Sequence, residues 1–249
     1  MITETFDNFS EEILEARRIV APVEGFPEVA VITFSSKIMR IVEEQYAPEQ
    51  ISTLHIVHTT PIYKDCYGGK EAAVYMTNVG GAVNAIVIEE LIAKGCRKFV
   101  FFGSCGTLDR KISAGRLIVP THAYRDEGIS YHYAPAGDYI EVKTAGRTAE
   151  ILSEMGIPFI KGRTWTTDAI YRETRANMVK RKAEGCIAVE MECASVMAVG
   201  QYRDVDVYQF IYGEDNLDSE EWERRTMGSV PQSASEKYLQ IALELAAKL

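Results

Sequence analysis

Short apolar runs and amphipathic stretches alternate along the chain, and the alternation predicts its elements. Residues 28–34 (EVAVITF) and 98–106 (KFVFFGSCG) are continuous apolar runs closed by small or polar residues. That is the pattern of strands buried on both faces. Residues 71–81 (EAAVYMTNVGG), 115–124, 158–168 and 205–215 (VDVYQFIYGED) predict four more strands. Helical spacing marks 35–46, with Ser35 or Ser36 as cap, and 82–95, which stops at Gly95. It also marks 148–156, 173–186 and a C-terminal helix over about 233–249. Residues 188–203 (AVEMECASVMAVGQYR) read as a strand running into a helix. The order predicts one α/β domain over 1–249, with a mainly parallel central sheet flanked by helices. Residues 216–235 (NLDSEEWERRTMGSVPQSAS) carry no period. A loop of that length is often a mobile lid over a site.

In such sheets ligands gather at the carboxyl ends of the strands. Four predicted strand ends therefore matter: Thr33–Phe34–Ser35, Asn78–Val79–Gly80–Gly81, Gly103–Ser104–Cys105–Gly106 and Gly213–Glu214–Asp215. The segment Glu190–Met191–Glu192 makes a fifth. Carboxylates are rarely buried without a partner, so two of them in an apolar run need a reason. One is a carboxylate accepting both hydroxyls of a vicinal diol. The other is a structural carboxylate bonded to backbone, with Met191 as core filler. The GSCG turn serves equally as a tight loop or as a cradle of backbone N–H groups for an anion. Asp215, at the end of a buried strand, fits either a turn cap or a partly desolvated general acid. Its neighbour Glu214 competes for that role. Tyr131, His132 and Tyr133, on a predicted loop, could wall a pocket, and Ile170 and Tyr171 could cover a flat ring; packing is the plainer use of both groups.

Composition narrows the function classes. The net charge of −9 argues against nucleic acid as a partner, although a local pocket for a small anion remains open. Five cysteines without a CxxC, and four histidines without an HExxH, give no metal spacing and suit a reducing cytosol. NVGGAVN lacks the GxGxxG pattern of a dinucleotide fold. No run is long enough to span a bilayer, and the acidic N-terminal stretch lacks the apolar core of a signal peptide. A cytoplasmic protein is expected.

Five segments together resemble the nucleoside phosphorylase family, which includes purine nucleoside phosphorylase, uridine phosphorylase and the methylthioadenosine nucleosidases. They are NVGGAVNAIVIEEL, FFGSCGTL, RDEGISYHY, TTDAIYRET and VEMECAS, in family order over about 28–217. The uridine-phosphorylase-like branch is the nearest in character. The resemblance implies a partly barrel-like sheet and a pentosyltransferase of nucleoside catabolism or salvage. Such an enzyme cleaves a nucleoside, here with a purine favoured, to free base and ribose 1-phosphate. It implies no cofactor, inorganic phosphate as co-substrate, and homodimers or hexamers built as trimers of dimers.

The resemblance also assigns residues. Glu192 would bind the ribose hydroxyls with Met191 against the sugar, and Glu190 would support the strand. Ser104 and Gly103, with Thr33, Lys37 and His58, would face phosphate. Cys105, Gly106, Ile170 and Tyr171 would face the base, and Asp215 would protonate purine N7. The chain departs from the family on the phosphate side. Phe101 stands where phosphorylases have an Arg, Lys37 replaces a second Arg, and His58 aligns with a third. Arg and Lys are not equivalent for bidentate phosphate binding. A nucleoside hydrolase using water and a non-catalytic nucleoside-binding protein are therefore the alternatives to a phosphorylase.

Overall fold

The computed structural model describes residues 1–56 and 59–249. Its sheet contains β1 (Val29–Thr33), β2 (Glu49–His55), β3 (Thr59–Tyr67), β4 (Lys70–Met76) and β5 (Lys98–Thr107). It continues with β6 (Leu117–Asp126), β7 (Tyr139–Glu141), β8 (Phe159–Thr167), β9 (Cys186–Glu190) and β10 (Asp206–Asn216). The helices are α1 (Ala16–Ile19), α2 (Ser36–Ile41), α3 (Gly81–Lys94) and α4 (Ser130–Tyr133), then α5 (Ala145–Glu154), α6 (Arg175–Ala183), α7 (Cys193–Tyr202) and α8 (Gln232–Ala247).

Strands β10, β6, β8, β9 and β5 pair in that order, and β10 returns to β5, which closes a five-stranded barrel. From β5 the sheet extends outward through β1, β4, β3 and β2. Pairing is parallel for β1–β4, β1–β5, β5–β10, β6–β8 and β8–β9. It is antiparallel for β10–β6 and β5–β9. The β2–β3–β4 meander over residues 49–76 is also antiparallel. Its first two strands carry no continuous apolar run and lie at the sheet edge, half exposed, so the chain pattern gives no sign of them.

The predicted apolar runs do form the buried strands. All five residues of β1 are buried, as are Phe99, Val100, Phe101 and Phe102 on β5. Phe102 stacks on Phe210, its direct partner on the neighbouring strand β10, at 5.5 Å. Burying one such side chain contributes about 1.5–3 kcal/mol. Helices α3 and α7 pack on each other, while α8 lies across β1, β4 and β5. Ser35 caps α2, its hydroxyl accepting from the Ile38 N–H, as one of the two expected caps. The segment 125–133, read as a loop, instead ends β6 and forms the one-turn α4. Among the described residues no helix is long and apolar enough to cross a membrane, and no cluster of three or more His, Cys, Asp or Glu side chains is arranged to hold a metal.

Candidate active site

The carboxyl ends of β1, β5 and β10 meet at one edge of the barrel. Strand β9 crosses the end of β5 antiparallel, with Val189 opposite Gly106 and Ala188 opposite Thr107. That crossing delivers Glu190, Met191 and Glu192 beside Gly103–Gly106, which is not the turn expected from the sequence but the extended end of β5, paired with β10. The two glutamates then separate in role. The Glu190 carboxylate accepts from the Thr166 and Thr164 hydroxyls and from the backbone N–H groups of Glu192 (2.8 Å) and Cys193 (2.6 Å). Those two N–H groups open α7, so Glu190 supplies the anion that a helix start favours. Its bonding capacity is taken up by the fold, although burial still raises its pKa.

Glu192 is different. It is as buried as Glu190, at 6% exposed, but among the described residues its side chain bonds only to backbone, accepting from the Gly80 N–H at 2.6 Å. Burial, and then the neighbouring charge of Glu190, push its pKa to about 8. A buried acid bonded only to backbone and bordering a cavity can take a ligand that brings its own donors.

Glu192 shares a cavity of about 210 Å³ with Asp215. Also around it lie Met191, Ser104, Cys105, Gly106, Ile170 and Val189. Asp215 arrives through an irregularity in β10. The β5 register runs Gly213↔Cys105 and then Asp215↔Gly106, so Glu214 is the extra residue of a β-bulge. In a regular strand adjacent side chains point to opposite faces. The bulge instead lets Glu214 and Asp215 border the same cavity. The Oδ2 of Asp215 accepts from the Trp222 indole N–H at 2.6 Å. Its Oδ1 faces Gly106, at 3.2 Å from where a Cβ on that residue would stand. Burial raises the Asp215 pKa, opposed by the indole hydrogen bond. Burial, followed by the charge of Asp215, lifts Glu214 and Glu173 to about 7 each. Three glutamates with pKa values of about 7 to 8, Glu173, Glu192 and Glu214, therefore border one cleft with Asp215, whose pKa burial also raises, a pattern typical of acid–base sites.

A second cavity, of about 340 Å³, adjoins the first at Phe34, Ser104 and Glu214. Ser35, Ser36, Lys37, Gly103 and Ser235 also line it. It is the natural place for an anion, yet its electrostatics are mixed. Lys37 donates to the Val230 carbonyl at 2.5 Å, and Glu214 stands opposite. Gly103 is forced to be glycine, since a Cβ there would stand 2.7 Å from the Phe34 ring. Phe34 in turn leans on Phe101, centroids 6.3 Å apart. Of this aromatic pair Phe34 walls both cavities, while Phe101 lies fully buried behind it.

Not every expected residue reaches the cleft. Thr33 is buried, and its hydroxyl accepts from the Ser35 N–H, a local turn contact. Thr33 borders neither cavity. Tyr171 is 96% exposed and lies outside the inner cavity, on a third one beyond Asp215. His58 lies outside the described residues. Tyr131, His132 and Tyr133 border neither cavity. Tyr133 instead packs edge-on against Tyr202 at 5.6 Å, and Arg125 lies 4.0 Å over the Tyr131 ring. The chain pattern assigns no site role to Glu173, Val189 or Met227, to Phe34 as a wall, or to Trp222 as the partner of Asp215. Glu173 sits in a polar context with no distinguishing spacing. Trp222, an aromatic within the long polar stretch 216–235, was the readable signal.

Comparison with known proteins agrees with this geometry. The profile of the phosphorylase superfamily matches residues 28–247. A DeoD-type purine nucleoside phosphorylase from Alkaliphilus metalliredigens is 30% identical over 194 residues, covering 72% of this chain and 78% of that protein. A uridine phosphorylase from Salmonella typhimurium is 29% identical over 147 residues, 53% of this chain and 58% of its own. The crystal structure of an AMP nucleosidase from Bacteroides thetaiotaomicron superposes with a TM-score of 0.71 at 18% identity, covering 90% of this chain and 88% of that one. That last likeness speaks for the fold.

Proposed function

The chain belongs to the phosphorylase superfamily, and from that premise we propose that it cleaves the N-glycosidic bond of a purine nucleoside and hands the ribosyl group to inorganic phosphate. One observation carries the reading: Glu192 and Asp215 border a single cavity, with Met191, Gly106 and Ile170 around it. Glu192, once ionised, accepts the 2′- and 3′-hydroxyls and fixes the sugar for in-line attack. The C1′–N9 bond breaks, its electron pair passes to the purine, and Asp215 gives its proton to N7. A phosphate oxygen then bonds C1′, leaving ribose 1-phosphate and free base. Charge builds on the sugar along this path as it does in glycoside hydrolysis. Phosphate would sit in the serine-rich cavity at Ser104 and Lys37, which requires Lys37 to release the Val230 carbonyl. Assembly into dimers or hexamers, with a neighbour completing the anion side, belongs to the same reading.

A specific observation favours a second reading, with water as acceptor. Phe34 and Glu214 stand at the junction of the two cavities, and among the described residues Lys37 is the one cation bordering either of them. A doubly charged anion gains little there. Glu214, with a pKa of about 7, could take a proton from water instead. Turnover of inosine, adenosine and uridine with and without phosphate separates the readings. Strict phosphate dependence with purine preference supports phosphorolysis. Indifference to phosphate supports hydrolysis. Absence of turnover on all three, with binding retained, leaves a nucleoside-binding protein and refutes both.

A further inference from the structure

The cleft does not end at Asp215. A third cavity, of about 600 Å³ against about 210 Å³ for the inner one, begins where the first stops. The two share Ile170, Glu173, Asp215 and Met227 as a common wall. Its remaining apolar lining comes from Tyr171, Met178, Leu217 and Trp222. Four exposed large hydrophobic residues, Ile170 (42% exposed), Tyr171 (96%), Trp222 (55%) and Met227 (38%), all border this one cavity. A concave, mostly apolar pocket with a few polar groups at its edge is the usual form of an organic ligand site. An unsubstituted purine engaged by Asp215 leaves it unused.

The orientation of Asp215 decides what enters. Its carboxyl straddles the boundary, with Oδ1 turned to Gly106 in the inner cavity and Oδ2 to the Trp222 indole of the outer one. On a purine, N7 and the substituent at C6 share one edge of the ring. A base that meets Asp215 through N7 therefore aims its 6-substituent past that carboxyl, toward Trp222, Leu217 and Met178. We propose that this outer cavity is a specificity subsite for purine nucleosides carrying an apolar or aryl group on the exocyclic 6-nitrogen. The inference rests on the proposed function, since it uses the N7 contact, and it extends that reading to a substrate class. The substituent would meet Trp222, Leu217 and Met178, with the Glu173 carboxyl bordering the same cavity as an acceptor for the 6-nitrogen N–H.

The test measures the whole chain against free bases, which need no acceptor, and then against nucleosides. In calorimetry N6-benzyladenine is expected to bind at least tenfold tighter than adenine. It should also quench Trp222 emission, a signal lost in Trp222→Phe; the other tryptophan, Trp165, is buried and bonded to Asp126. In kinetics kcat/KM for N6-benzyladenosine should equal or exceed that for adenosine. Met178→Trp, which fills the outer cavity, should lower the ratio of the two at least tenfold. If adenine binds while N6-benzyladenine binds more weakly, the subsite is refuted and the proposed function stands. If neither base binds, both fall together.

Discussion

Replacing Glu192 by Gln should make the protein more stable and less active at once. The carboxyl is pushed from an ordinary 4.5 to about 8 in the folded chain. A raised carboxyl pKa means that the folded state holds the proton more tightly than the unfolded state. Its contribution to stability is therefore fully present below about pH 4.5 and is lost as pH rises through about 8. At 1.36 kcal/mol per pKa unit, wild type should lose about 4 kcal/mol of stability between pH 5 and pH 9 through this group alone. Gln carries no such dependence, and its side-chain oxygen can still accept from the Gly80 N–H. Urea unfolding of both proteins at pH 5, 7 and 9 measures the difference. The advantage of Glu192→Gln should grow by about 4 kcal/mol over that range and flatten above pH 8. Turnover should fall, because an amide cannot accept two ribose hydroxyls as a carboxylate does. A stability difference that stays constant with pH would refute the reasoning. So would a variant that keeps wild-type kcat/KM.

Three further substitutions test other parts of the cleft. Asp215→Asn removes the proton donor and should lower purine nucleoside cleavage about 10²–10⁴-fold, read as kcat at saturating substrate, with folding judged by unchanged circular dichroism. Gly106→Ala should abolish cleavage, because its Cβ would stand 2.6 Å from Leu217 Cδ1 and 2.9 Å from Val189 Cγ1; binding of the free base, measured by calorimetry, should weaken with it. Glu190→Ala strips the partner from two hydroxyls and two backbone N–H groups at the start of α7. It should cost about 3 kcal/mol or more in unfolding free energy, whereas a solvated Glu190 would leave the denaturant midpoint unmoved.

Much of the central sheet could be read from the chain because its strands are buried on both faces. VAVIT of β1, FVFF of β5 and VYQFIY of β10 are nearly continuous apolar runs, and such runs have few other uses. The β2–β3 hairpin could not, since its residues lie half exposed at the sheet edge and local alternation is weak there. The two glutamates of VEME mark a site, yet their division of labour depends on pairing at a distance. Only the approach of Thr164 and Thr166 on β8 and of the α7 N-terminus assigns Glu190 to the scaffold. The choice between Glu214 and Asp215 was likewise beyond the chain pattern, because alternation sends neighbours to opposite faces. A bulge against β5 sets that rule aside and brings both into the cleft. Thr33 shows the opposite case: a residue at a predicted strand end whose hydroxyl is used by its own turn.

The most direct measurement is a crystal structure with a purine C-nucleoside, whose carbon–carbon bond between base and sugar survives in the site. One molecule should lie across the cleft, its 2′- and 3′-hydroxyls on the Glu192 carboxyl and N7 within hydrogen-bond reach of Asp215. Density for the nucleoside elsewhere, or in the cleft with either acid out of reach, would contradict the account.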